Sequence, residues 1–151
     1  MQQWQEILLQ DFCQAVGMPD PSFLMAGGSI DVDGFSVDFL DIADEEDRAL
    51  YVNFHYGTVS AGRSLIVFRL LLEANVLAYA KDDARLGLDP ATGGVILFLR
   101  LVEDTVPDGN MLADILSHYA EHARYWRTQI FEASDEMYLG IASGDFRWLQ
   151  V

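Results

Sequence analysis

Leu65-Ile66-Val67-Phe68-Arg69-Leu70-Leu71-Leu72-Glu73-Ala74-Asn75-Val76-Leu77 is long enough for a helix and apolar nearly all round. A helix that is hydrophobic on every side has to be covered on every side, by a membrane, a large core or a partner. Arg69 and Glu73 interrupt the run, and a chain of 151 residues builds one modest core. The pattern favours a subunit interface. The alternative is a helix packed against both a sheet and a neighbouring helix of its own chain.

Upstream, Leu50, Val52, Phe54 and Tyr56 alternate with Tyr51, Asn53 and His55, the period of a half-buried strand. Asp44-Glu45-Glu46-Asp47 reads as a solvated connection to it. Before that, Ile30 and Val32 alternate with acids, and Phe35, Val37 and Phe39 alternate with Ser36, Asp38 and Leu40. Asp33-Gly34 between the two runs marks a hairpin turn. At the start of the chain, Trp4, Ile7, Leu8, Phe12, Ala15 and Val16 recur at helical spacing from about residue 3 to 16, with Gly17 as the stop signal.

Downstream, Leu86-Gly87-Leu88-Asp89-Pro90-Ala91-Thr92-Gly93-Gly94 carries turn chemistry between a short strand and a longer one. Val95 to Val102 is a strand apolar on both faces, and cover on both faces is expected. Met111, Leu112, Ile115, Leu116, Tyr119, Ala123, Trp126 and Ile130 mark a final amphipathic helix to about residue 131. The order is α-β-β-β-α-β-β-α, an α+β fold in which three main helices accompany a twisted antiparallel sheet.

Charge excludes several functions. Asp and Glu number 24 against 9 Lys and Arg, a formal net charge of −15, and Lys81 is the single lysine. Nucleic acid would be repelled, because its affinity for proteins comes largely from cations that neutralise phosphates. Anionic membrane surfaces are disfavoured for the same reason. With 51% hydrophobic residues and a mean hydropathy of +0.13, this is an acidic globule and not an acidic disordered tail. The segment Met1-Gln2-Gln3-Trp4-Gln5-Glu6 lacks the features of a signal peptide, and no segment approaches the roughly 18 apolar residues of a membrane span. A solitary Cys13 fits a reducing compartment, so a cytoplasmic location without membrane insertion is expected.

Neither catalysis nor metal binding is expected. His118 and His122 stand four apart on the last helix, but the sequence between them is not His-Glu-x-x-His and no third ligand is evident. His55 stands alone on a strand and reads as a surface or interface residue. Asp31-Val32-Asp33-Gly34 has its glycine at position 4 where a calcium loop needs it at 6, and Ile42 where the closing Glu belongs. Ala61-Gly62-Arg63-Ser64 is a helix start, not a phosphate-binding loop. Cys13 has no basic neighbour to activate it.

Four features in linked order carry a family resemblance. They are a helix ending Leu71-Leu72-Glu73-Ala74-Asn75, the turn Leu86-Gly87-Leu88-Asp89-Pro90-Ala91-Thr92-Gly93, the strand end Arg100-Leu101, and a closing helix with Trp126-Arg127. Over roughly residues 4 to 131 the chain resembles the class I type III secretion chaperones of the Tir-chaperone (CesT-like) family. The resemblance implies a bacterial homodimer without cofactors, joined through its second helix and the strands that follow. It also implies binding of a secreted effector's N-terminal region in extended form, which keeps the effector soluble and competent for secretion. On this basis Leu70, Leu71, Asn75, Val76 and Leu88 are expected at the dimer interface.

An apolar face can receive an amphipathic helix and an open strand edge can accept a guest strand. Trp4, Leu8, Phe12, Val32, Phe35, Val37 and Phe39 are the expected guest contacts, although the same periodicity describes plain core. The second functional class is an acidic regulatory module of the same architecture that sequesters a transcriptional or signalling protein. Residues 1–131 form the expected domain and 132–151 a C-terminal extension. The extension carries Tyr138, Leu139, Phe146, Trp148, Leu149 and Val151, which either pack back on the domain or occupy a guest groove.

Overall fold

Helix α1 (Gln3–Val16) starts with a reciprocal cap in which Gln2 N–H donates to Gln5 Oε1 at 2.7 Å, and it ends where Gly17 turns left-handed at φ 75°. Leu8, Leu9, Phe12 and Cys13 form its buried stripe. Gln5 is buried with them and donates from Nε2 to Ala49 O at 2.9 Å, which pins the helix to the sheet. A one-turn helix α2 (Ser22–Met25) follows and buries Leu24. The sequence reading contains no such element, because four residues are too few to show a period.

The computed structural model describes residues 1–42, 46, 48–60, 62–134, 136, 139 and 140. Asp44, Glu45 and Asp47 of the acidic connection, Ala61, and Tyr138, Phe146, Trp148, Leu149 and Val151 of the extension lie outside the described residues. Strands β1 (Ser29–Val32), β2 (Phe35–Leu40), β3 (Ala49–Gly57), β4 (Ala84–Leu88) and β5 (Val95–Val102) form one antiparallel sheet in the order β1-β2-β3-β5-β4. Asp33 (φ 52°) and Gly34 (φ 89°) both turn left-handed at the β1–β2 hairpin, the geometry that matches strand twist in a two-residue loop.

The register brings Val37, Phe54, Leu97 and Leu86 into one row across four strands, and all four are buried. The adjacent row, Asp38, Asn53, Phe98 and Arg85, faces the other way. Helix α3 (Ser64–Ala74) follows β3, and helix α4 (Gly109–Trp126) closes the domain. Asp108 caps α4 by accepting from Met111 N–H at 2.8 Å. Gly109 is required at the crossing with α1, since a Cβ there would meet the backbone of Asp11 and Phe12 at under 2.6 Å. Both α3 and α4 continue into π turns, Asn75–Tyr79 and Arg127–Phe131.

Buried residues of all four helices and of one sheet face make a single core. Within this chain β5 is an interior strand covered by helices on one face alone. The helices cover only the face of Val95, Leu97, Leu99 and Leu101, whereas Ile96, Phe98, Arg100 and Val102 on the other face are half-buried. Phe98 stacks there on Tyr51 with ring centroids 5.0 Å apart, so the second apolar face is sheltered by cross-strand neighbours and not by a second helical layer.

Candidate interaction surfaces

The apolar run of α3 divides into two faces. Val67, Leu70, Leu71 and Ala74 point into the core. Leu65, Phe68, Leu72 and Val76 follow one another at helical spacing on the outside, with Leu65 82%, Leu72 70% and Val76 76% exposed. Leu77 on the π turn and Leu88 at the end of β4 are also exposed. Arg69 and Glu73 flank the stripe as an i,i+4 ion pair at 3.1 Å, so this face is bordered by a neutralised pair.

Of the residues expected at a dimer contact, Val76 and Leu88 therefore lie on the surface. Leu70 and Leu71 are spent on the chain's own core. The side chain of Asn75 is also engaged, bonding both main-chain groups of Leu86. The sequence reading did not single out Leu65, Phe68, Leu72 and Leu77, which the structure leaves exposed beside Val76 and Leu88. Their spacing of three and four was visible, but the all-apolar run hid which stripe the sheet would take.

The guest-contact expectation divides similarly. Leu8, Phe12, Phe35, Val37 and Phe39 are 0–4% exposed members of the core, and of these Leu8 also lines a surface groove. Trp4 and Val32 remain half-buried. Trp4 belongs to a groove of about 240 Å³ with Ile7, Leu8, Asp11, Val106 and Asp108 between α1 and the start of α4. Ile7, 56% exposed, was not among the expected contacts although it lies one helical turn from Trp4. Every charged residue of the groove, Asp11, Glu103 and Asp108, is acidic. A larger groove of about 540 Å³ opens between α4 and the end of β5, with Leu99, Leu101, Ile115 and Tyr119 among its lining.

The sequence-level metal and catalytic candidates have structural partners. His118 and His122 lie with ring centroids 4.6 Å apart. His122 Nδ1 meets Tyr79 Oη at 3.0 Å, and Tyr79 Oη in turn accepts from Trp126 Nε1–H at 3.0 Å. Burial first and His118 second hold the pKa of His122 below its ordinary value. No cluster of metal-ligating side chains occurs among the described residues. His55 Nε2 meets Asp38 Oδ1 at 2.6 Å on the outer sheet face. Asp31 accepts from Gly34 N–H at 2.9 Å within the hairpin turn. Cys13 is buried, and desolvation raises its thiol pKa, the opposite of what a nucleophile needs.

The fold recurs in solved structures. A chain of the ExsC–ExsE complex is 24% identical, with the match covering 89% of this chain and 100% of that one at a TM-score of 0.69. A chain of the HopA1–SchA chaperone–effector complex is 18% identical over 82% of this chain and 93% of that one, at a TM-score of 0.62. The heterodimeric ExoU–SpcU complex from the type III secretion system of Pseudomonas aeruginosa provides a third match, 21% identical over 74% and 91% of the two chains, at a TM-score of 0.52. No curated protein matches the sequence. In the described residues no helix is long and apolar enough to cross a membrane. Residues 8–127 match the Tir chaperone protein (CesT) family from α1 through α4, and the chain belongs to that family.

Proposed function

We propose that this chain is a type III secretion chaperone that binds the N-terminal region of an effector protein in extended form and keeps it soluble and secretion-competent. The family match over residues 8–127 carries this reading. The surfaces support it physically. The outward stripe of α3, with Leu88, is the face on which two copies meet as a homodimer. The groove of Trp4 and Ile7 and an open edge of the sheet receive the guest, and the groove's acidic rim selects apolar residues flanked by basic ones. Residues 1–131 act as the chaperone domain, with 132–151 as an extension, and the protein works in the bacterial cytoplasm without cofactor or catalysis.

The test is affinity capture from the native host, followed by limited proteolysis of the captured complex. One dominant partner protected over its N-terminal segment alone is the expected result. A partner protected as a whole folded domain would replace this reading with that of a sequestering regulator.

A further inference from the structure

A sheet with two edges can be extended at either, by a guest or by another copy of itself. The two edges here are not alike. Leu86 N–H donates to Asn75 Oδ1 at 2.6 Å, and Asn75 Nδ2 donates to Leu86 O at 3.0 Å. An N–H carries one proton, so Leu86 directs its main chain away from its cross-strand partner Leu97 and out over the edge of β4. Outward-facing groups recur at every second residue of an antiparallel strand, which places the rungs of this edge at Ala84, Leu86 and Leu88.

The carboxamide of Asn75 fills the middle rung with the donor and acceptor that a neighbouring strand would supply. The rungs on either side are then about 13 Å apart, at ~3.3 Å per residue, and cannot form a continuous ladder. Asn75 opens the π turn Asn75–Tyr79, in which Asn75 meets β4 while Tyr79, four residues on, is buried in the core. At the other edge, among the described residues, no group bonds the outer side of β1.

We infer that Asn75 is an edge plug, a positioning residue that closes β4 to strand addition and confines that addition to β1. The inference deepens the guest-binding reading and rests on it for the use of β1. The closure of β4 stands on the geometry alone, and its test requires no guest.

The experiment compares full-length wild type with Asn75→Ala by light scattering over a concentration series and by amide hydrogen exchange. In wild type the Leu86 amide exchanges slowly. In Asn75→Ala at low concentration it exchanges roughly tenfold faster, the effect of one lost hydrogen bond. As concentration rises, the variant assembles beyond the wild-type oligomer and the Leu86 amide becomes protected again, which aggregation of an unfolded fraction would not produce. If the amide opens but assembly stays at the wild-type state, Asn75 merely ties helix to strand and the plug is refuted. Fast exchange of Leu86 in wild type refutes it as well. Should Asn75→Ala fail to fold, Asn75→Ser, whose hydroxyl is too short to span both Leu86 groups, must show the same gain in assembly. Failure of any of these leaves the chaperone reading intact, and loss of guest capture leaves the plug intact.

Discussion

Replacing Leu72 by Ala tests the proposed dimer face without touching the core. Leu72 is 70% exposed on the single chain, on the same stripe as Leu65 and Val76. The substitution removes three carbons worth about 0.8 kcal/mol each when buried, so each protomer loses about 1.7 kcal/mol at this exposure. A two-fold interface repeats the loss, giving about 3.4 kcal/mol per dimer or roughly a 300-fold weaker dimer dissociation constant. Sedimentation equilibrium over a dilution series measures the constant, and thermal denaturation of the dilute protein measures the monomer, which should melt almost as before. Leu71→Glu is no substitute, because Leu71 is 5% exposed and a buried, unpaired carboxylate would unfold the chain. A dissociation constant for Leu72→Ala within about threefold of wild type would refute the placement of the interface.

Ile7→Asp should leave the dimer unchanged and weaken capture of the partner's N-terminal segment by roughly tenfold, the cost of losing one half-exposed aliphatic contact, as measured by fluorescence anisotropy; unchanged affinity would remove the α1 groove from the guest site. Folding disfavours the proton on His122, through burial and then His118, with Asp82 and Glu121 opposing and Lys81 assisting. Stability from this group is therefore full above about pH 6.5 and falls as pH drops below it, so His122→Gln should melt with a shallower loss between about pH 7 and 5 than wild type, and parallel curves would count against the assignment. Added salt should tighten the dimer, because it screens repulsion between two bodies of net charge −15 without weakening an apolar contact. A dimer loosened by salt would mean an ionic interface instead.

The sequence made the strands legible because one buried face imposes a strict period of two, as in Phe35, Val37 and Phe39 or Leu50, Val52 and Phe54. The same property does not separate a guest contact from core. Aromatics at period two are what a core demands, and five of the seven expected guest contacts are buried in the chain's own core, Leu8 among them also lining the α1 groove. In α3 the difficulty was different. An all-apolar run contains several possible stripes, and the sheet's position decides which one is buried. Leu71 and Leu72 are neighbours in sequence, yet one is core and the other surface. The bonds of Asn75 to Leu86 were not legible at all, because Leu86 lies eleven residues away across a π turn whose geometry leaves no periodic signature.

Net charge and the apolar stripe fit together once both surfaces are located. A chain at −15 repels copies of itself, and Coulomb repulsion is least damaging where the meeting faces carry no net charge. The α3 stripe meets that condition, since Arg69 and Glu73 at its border neutralise each other. The α1 groove is the reverse case, an apolar floor with an acidic rim that repels another copy and attracts a basic segment. On the proposed reading, the same overall charge assigns the two apolar surfaces to different partners, the neutral one to a second copy and the acidic one to a guest. The inferred plug of the β4 edge beside the α3 stripe would keep the two proposed contacts distinct, because copies that met there could join through side chains without fusing their sheets.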